Sequence, residues 1–212
     1  MLKPTLLSRR DFASSVLAAA GVAAASGALA ATELSPTPSQ TIGPFYPVQR
    51  VADEDADLTW IKGHSKRAEG NVIQVTGRVL DRFGHPVPNS QLEIWQCNAF
   101  GRYAHPSDPA TQPLDPNFQG YATVATGATG EWRITTIKPS GYDSPVGKRT
   151  PHIHLDVRGK SHRMITQMYF SDDDASNTKD ALYQRLGGGA TRTVARLDSP
   201  GQYRWDIVLI EG

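Results

Sequence analysis

From Asn71 onward the apolar residues fall on alternate positions, and that alternation predicts short strands separated by Gly- and Pro-bearing turns. Val72 to Asp81 reads as one strand, with Gly77 marking a bulge or a close approach of backbone. Gln91 to Gln96 reads as the next. A long polar stretch, Asn98 to Gly120, follows with little apolar content, and a loop of that length in a compact domain points to function. Tyr121 to Ala125 and Glu131 to Ile137 predict a hairpin around Gly127 to Gly130. Ile153 to Val157, Met164 to Phe170, Thr193 to Leu197 and Tyr203 to Ile210 complete the strands, and Asp180 to Leu186 predicts one short helix. Some eight strands with no sustained 3.6-residue period predict an all-β fold. The expectation is an antiparallel β-sandwich with long active-site loops and at most one or two short helices.

Composition narrows the picture. With 22 basic and 21 acidic residues in 212, the chain has neither a basic stripe for nucleic acid nor a charge block for a membrane surface. Residues 1–30 form a separate object: Ser8-Arg9-Arg10-Asp11-Phe12, an apolar run from Val16 to Ala25, then Ala28-Leu29-Ala30. That order of parts predicts a twin-arginine signal, too short to be a stable membrane anchor, and hence export to the periplasm or another extracytoplasmic space. Residues 31–40 read as a Ser/Thr/Pro-rich linker, and 41–212 as the folded domain, opening on the apolar loop Thr41 to Pro47. The lone cysteine, Cys97, excludes an internal disulfide, so core packing and a metal are the means left to hold the domain.

The candidate chemistry centres on His152-Ile153-His154. On a strand the two imidazoles share a face about 7 Å apart at Cα, which lets both reach one metal ion. Tyr142 and Arg149 stand just upstream, and Tyr103 lies in Gly-Arg-Tyr-Ala-His of the long loop. Zinc prefers His, Cys and carboxylate, whereas anionic phenolate oxygens suit a harder, more highly charged ion. Ionising a phenol at pH 7 costs about 4 kcal/mol, which a trivalent ion at bonding distance offsets. The set therefore points to Fe(III) held by Tyr103, Tyr142, His152 and His154. Asp156 shares the histidine face and leaves a two-His-one-carboxylate Fe(II) or zinc site open.

Several stretches, taken in order, carry a family resemblance: VTGRVLDRFGHPVPNSQLEIWQCNAFGRYAH, PLDPNFQGYATVATGATGEWRITTIKP, RTPHIH, TQMYF and YRWDIVL. Residues 41–210 resemble the intradiol ring-cleavage dioxygenases, nearest the protocatechuate 3,4-dioxygenase subunit type. The resemblance implies that a catechol-type aromatic diol and O2 are the substrates and a cis,cis-muconate-type diacid the product. It implies Tyr103 and His152 as equatorial iron ligands, with Tyr142 and His154 as the axial pair. Tyr142 would leave when substrate arrives and help deprotonate the diol, Arg149 would stabilise charge developing on the ring, and Gln167 would lie near the ring. It further implies a homo-oligomer, or a hetero-oligomer with a related subunit. After Tyr142 that type has Pro-Trp, whereas this chain has Asp143-Ser144 and a shorter connection to His152, in a loop that walls the substrate pocket. The Val75 to Glu93 pattern alone would fit a non-catalytic binding module of the transthyretin-like or carboxypeptidase-regulatory-like type, which gives no reason for the two tyrosines and two histidines to occur together.

Overall fold

The computed structural model describes residues 33–49 and 53–211; the export signal expected in residues 1–30 lies outside the described residues. Among the described residues there are eleven strands: β1 (Val72–Leu80), β2 (Gln91–Trp95), β3 (Tyr121–Ala125), β4 (Glu131–Ile137), β5 (Tyr142–Ser144), β6 (Gly147–Arg149), β7 (His152–Arg158), β8 (Arg163–Phe170), β9 (Val194–Ser199), β10 (Gln202–Arg204) and β11 (Ile207–Val208). Two four-residue helices, α1 (Asp174–Asn177) and α2 (Ala181–Gln184), lie between β8 and β9, each preceded or followed by a 3₁₀ turn. The fold is mostly strands with a few short helices.

Nine strands join one sheet, and the expectation of purely antiparallel pairing is corrected: β1 pairs in parallel with β10 and β11, and β8 in parallel with β9. Parallel neighbours need a crossover of roughly a dozen residues or more. Residues 171–193, with both helices, supply it between β8 and β9. From β1 the neighbours run β10, β9, β8, β7, β2 and β3, while β4 lies beside β1. The hairpin expected from β3 and β4 is also corrected. A turn at 127–130 joins them, but β3 pairs with β2 and β4 with β1, so the connection links opposite ends of a sheet curled nearly into a barrel.

Alternation along β7 separates the core from the site. Ile153, Leu155 and Val157 enter the main core with Leu92, Ile94, Met164 and Met168. His152, His154 and Asp156 occupy the opposite face, which is buried as well. That second face is covered by the loop between β2 and β3 and by the N-terminal strap. Residues 34–40, which read as a linker, are tied down: Thr37 N–H donates to Val208 O at 3.0 Å and Gln40 N–H to Ile165 O at 2.7 Å. The strap thereby brings Thr41 to Phe45 over the histidines.

Candidate active site

Strand register sets the centre of the site. In β7, His154 lies between Trp95 of β2 and Gln167 of β8, and His152 lies opposite Tyr169. The His154 ring stacks on the Trp95 indole, with centroids 5.0 Å apart and planes 14° apart. Above it passes Gly43, whose φ is +76° and whose absent Cβ would stand 3.2 Å from His154 Cε1. A side chain there would be strained and would crowd the imidazole, so the strap crosses the site on a glycine.

The tyrosines arrive from two loops. The β5–β6 hairpin, which the alternation did not reveal, places Tyr142 directly opposite Arg149. Tyr103 is carried by the long loop, where the Asn98 side chain accepts from Phe100 and Arg102 N–H, and the Asp108 carboxylate accepts from Tyr103 N–H at 2.7 Å. The loop closes on the hairpin at Gly101, with φ +81° and room for no Cβ, since one would sit 2.9 Å from Gly141 O. The two phenol rings then meet edge to face, with centroids 5.6 Å apart. Phe45 of the strap covers Tyr103, with centroids 4.9 Å apart.

All six residues singled out in the sequence gather here. The Tyr142 hydroxyl lies 3.4 Å from His152 Nε2, the two imidazole centroids are 5.0 Å apart, and Tyr103 stands edge-on to His154 at 6.2 Å. His152 Nδ1 lies 2.6 Å from the Thr150 carbonyl, which can only accept, so Nδ1 holds the proton and Nε2 presents its lone pair to the site. Burial, then the Arg149 charge, lowers His152 to about 3 despite the Thr150 bond. Burial, then the charges of His152 and Arg149, holds His154 well below the ordinary imidazole value. Both rings are therefore neutral at pH 7, as metal binding requires.

The phenols move the other way. Burial, and after it Tyr142, raises Tyr103 well above the usual phenol value. Burial raises Tyr142 too, while Arg149 and Tyr103 pull it back only in part. The Tyr103 hydroxyl and His154 Nδ1 are buried without a well-formed hydrogen bond, an expensive arrangement for two polar atoms. Phenols in this state become anionic only beside a concentrated positive charge, so the donor set fits a hard, highly charged cation. Among the described residues no three His, Cys, Asp or Glu side chains form a metal-binding group. The Asp156 alternative is overturned: its carboxylate is taken by Arg163 at 2.7 Å and Arg158 at 2.9 Å.

Arg149 is fixed by partners the sequence did not reveal. Its Nε donates to Asp180 Oδ2 at 2.8 Å and its Nη2 to Gln167 Oε1 at 2.6 Å. Asp180 is buried, caps α2 by accepting from Leu182 and Tyr183 N–H, and accepts from Thr150 N–H at 3.0 Å. Read in sequence, Asp180 signals a helix start and nothing more. Gln167 Nε2 donates to Thr41 O at 3.2 Å, and Tyr169 donates to Gln40 Oε1 at 3.1 Å, so the strap, β8 and Arg149 form one network. A cleft of about 820 Å³ opens over the group. Tyr142, Arg149, His154 and Gln167 line it, while Tyr103 and His152 stand behind them.

Comparison with known proteins agrees with this geometry. Residues 41–211 match the Dioxygenase family model. The chain is 40% identical over 181 residues to the protocatechuate 3,4-dioxygenase beta chain of Burkholderia cepacia, covering 78% of this chain and 76% of that one. It is 30% identical to the protocatechuate 3,4-dioxygenase alpha chain of Pseudomonas putida, covering 82% and 92%. Among solved structures it is similar to the dioxygenase domain of a dioxygenase carbohydrate-binding protein fusion from Streptomyces sp. SirexAA-E. The TM-score there is 0.63 at 26% identity, over 84% of this chain and 100% of that one. Matched over residues 41–211 and 40% identical to a protocatechuate 3,4-dioxygenase beta chain, the chain belongs to the intradiol ring-cleavage dioxygenases, a family of oxidoreductases.

Proposed function

We propose that this chain cleaves a catechol-type diol with O2, between its two hydroxyl-bearing carbons, to a cis,cis-muconate-type diacid, with ferric iron held by Tyr103, Tyr142, His152 and His154. The observation that carries the reading is the meeting of two phenols and two neutral imidazoles, with the Tyr103 hydroxyl and His154 Nδ1 left unpartnered. Ferric iron, when bound, would supply the Lewis acidity that ionises the diol and would draw electron density from the ring, opening it to reaction with O2.

The chain's own residues do the rest. Tyr142 is the phenol that lines the cleft, on a three-residue strand at the protein surface, so its phenolate, the form a bound cation would favour, would be placed to take a diol proton and become the neutral phenol. Arg149, held by Asp180 and Gln167, presents a fixed positive charge to the cleft, where negative charge develops on the ring. Gln167, pinned between Arg149 and Thr41 O, defines the floor against which the ring lies. Phe45 and Gly43 form a roof that keeps bulk water from the inner donors.

Export through residues 1–30 and assembly into a homo-oligomer, or a hetero-oligomer with a related subunit, belong to the same proposal; paired alpha and beta chains among its relatives support the second point. The test is product analysis after incubation of the iron-loaded protein with catechol under ¹⁸O2. Two labelled oxygens in a cis,cis-muconate are expected. An extradiol semialdehyde, or no ring-opened product from any diol tried, would overturn the reading.

A further inference from the structure

The cleft is larger than a simple catechol requires. A dry cavity of roughly 150 Å³ already holds benzene, whereas this cleft measures about 820 Å³. Tyr142, Arg149, His154 and Gln167 occupy its inner end. Beyond them it continues between three walls: Pro109 and Ala110 of the long loop, Pro145 and Val146 at the tip of the β5–β6 hairpin, and Leu182 of α2. These five side chains are apolar and stand among polar neighbours, Ser107, Thr111 and Gln112 on the loop and Ser144 on the hairpin, and Val146 is left 46% exposed. Prolines in two of the walls hold them in a preformed shape. The hairpin tip is also where the sequence departs from the protocatechuate type.

Arg185 lines the same space, three residues after Leu182 and so on the same side of the helical turn. Its guanidinium makes no hydrogen bond or ion pair among the described residues, and it is exposed to the cleft. Arg149 belongs to the inner end of the cleft, where Asp180 and Gln167 hold its Nε and Nη2. Of the two acidic residues lining the cleft, Asp108 is taken up by the N–H groups of Tyr103 and Ala110, and Asp143 is exposed on the hairpin. The cleft thus pairs apolar side chains on three walls with one uncommitted cation.

Building on the dioxygenase reading, we infer that the substrate is a catechol carrying an extended apolar arm that ends in a carboxylate, a diol of the hydroxycinnamate type. Its ring sits at the inner donors, its arm runs along Pro109, Val146 and Leu182, and its carboxylate meets Arg185. Arg185 is then a specificity-determining residue, and the shortened loop after Tyr142 is what opens the channel.

The test compares kcat/KM for catechol, 3,4-dihydroxycinnamate and the methyl ester of the latter, in the wild type, Arg185→Gln and Val146→Trp. Anaerobic calorimetric titration of the iron-loaded protein with 3,4-dihydroxycinnamate gives binding apart from turnover. In the wild type the acid is expected to exceed both catechol and the ester by about tenfold, the usual scale of one charge-assisted contact. Arg185→Gln brings the acid-to-ester ratio close to one and raises the Kd of the acid by about tenfold. Val146→Trp lowers the acid and the ester together relative to catechol. Catechol turned over as well as the acid, or an acid-to-ester ratio unmoved by Arg185→Gln, would overturn the inference while leaving the dioxygenase reading intact. Failure of all three diols, catechol included, would remove that reading and the inference with it.

Discussion

Asp180→Asn tests how the Arg149 charge is held. The carboxylate is buried and serves four donors: Arg149 Nε at 2.8 Å, Thr150 N–H at 3.0 Å, and Leu182 and Tyr183 N–H at 2.8 and 3.3 Å. An asparagine can keep the helix cap through its carbonyl oxygen, but its NH2 then faces two donors. Alternatively it flips and gives up the cap, which is worth about 0.5–2 kcal/mol. Either way Arg149, only 5% exposed, loses its counter-ion. Breaking a buried pair from one side costs about 3–5 kcal/mol, because an uncompensated charge remains. For a protein of this size each kcal/mol lowers Tm by about 2–4 °C, so calorimetry should record a fall on the order of 10 °C. The same substitution in an Arg149→Met background, where no buried charge is stranded, should cost only about 1–2 kcal/mol, the cap and Thr150 contributions. In the otherwise wild-type enzyme kcat should fall more than KM rises, since Arg149 acts on charge that develops during the reaction. A loss below about 1 kcal/mol, or an equal loss in both backgrounds, would refute the assignment of Asp180 as the positioning partner of Arg149.

Other residues make independent tests. Gly101→Ala places a Cβ 2.9 Å from Gly141 O at a φ of +81°, so about 1–3 kcal/mol of strain should appear in thermal melts, with a larger proportional loss of iron affinity as Tyr103 and Tyr142 move apart. Burial pushes the Cys97 thiol up to about 12, so it should resist thiol reagents at pH 8 in the native protein and react fully once unfolded. Burial alone would raise the Asp156 carboxyl, but hydrogen bonds from Arg163 and Arg158 outweigh it and hold the group below the ordinary carboxylate value. Its contribution is therefore complete above the unfolded value near pH 4 and is lost as pH falls through the native one. Asp156→Asn should lower Tm by about 4–8 °C at pH 7, with the gap to wild type closing below pH 4. A gap that stays constant from pH 7 to pH 3 would show that the charge contributes nothing.

What was legible in the sequence follows its physics. Alternation located β1, β2, β7 and β8, because each has one apolar face that must enter the core, as Ile153, Leu155 and Val157 do. The same period put His152 and His154 on one face. Strand direction left no mark on periodicity, so the parallel pairs β8–β9 and β1–β10 were missed, as was the divergence of β3 from β4. The β5–β6 hairpin is too short, at three residues a strand, to show any alternation, yet it sets Tyr142 opposite Arg149. The sequence put a short helix at Asp180 to Leu186 without singling out Asp180, which caps it; the bond from Arg149 to Asp180 spans 31 positions and exists only in the fold. The strap read as a linker because its side chains are small and polar; it is anchored by backbone groups such as Thr37 and Gln40 N–H and by the Thr37 and Gln40 side chains, whose partners lie far away along the chain.

Visible absorption of the iron-loaded protein, before and after anaerobic addition of catechol, tests whether ferric iron is held by two tyrosines and reached by the diol. A broad tyrosinate-to-iron charge-transfer band is expected, shifting when the diol binds and changing in Tyr142→Phe. A colourless protein carrying stoichiometric zinc, or a spectrum indifferent to both the diol and Tyr142→Phe, would contradict it.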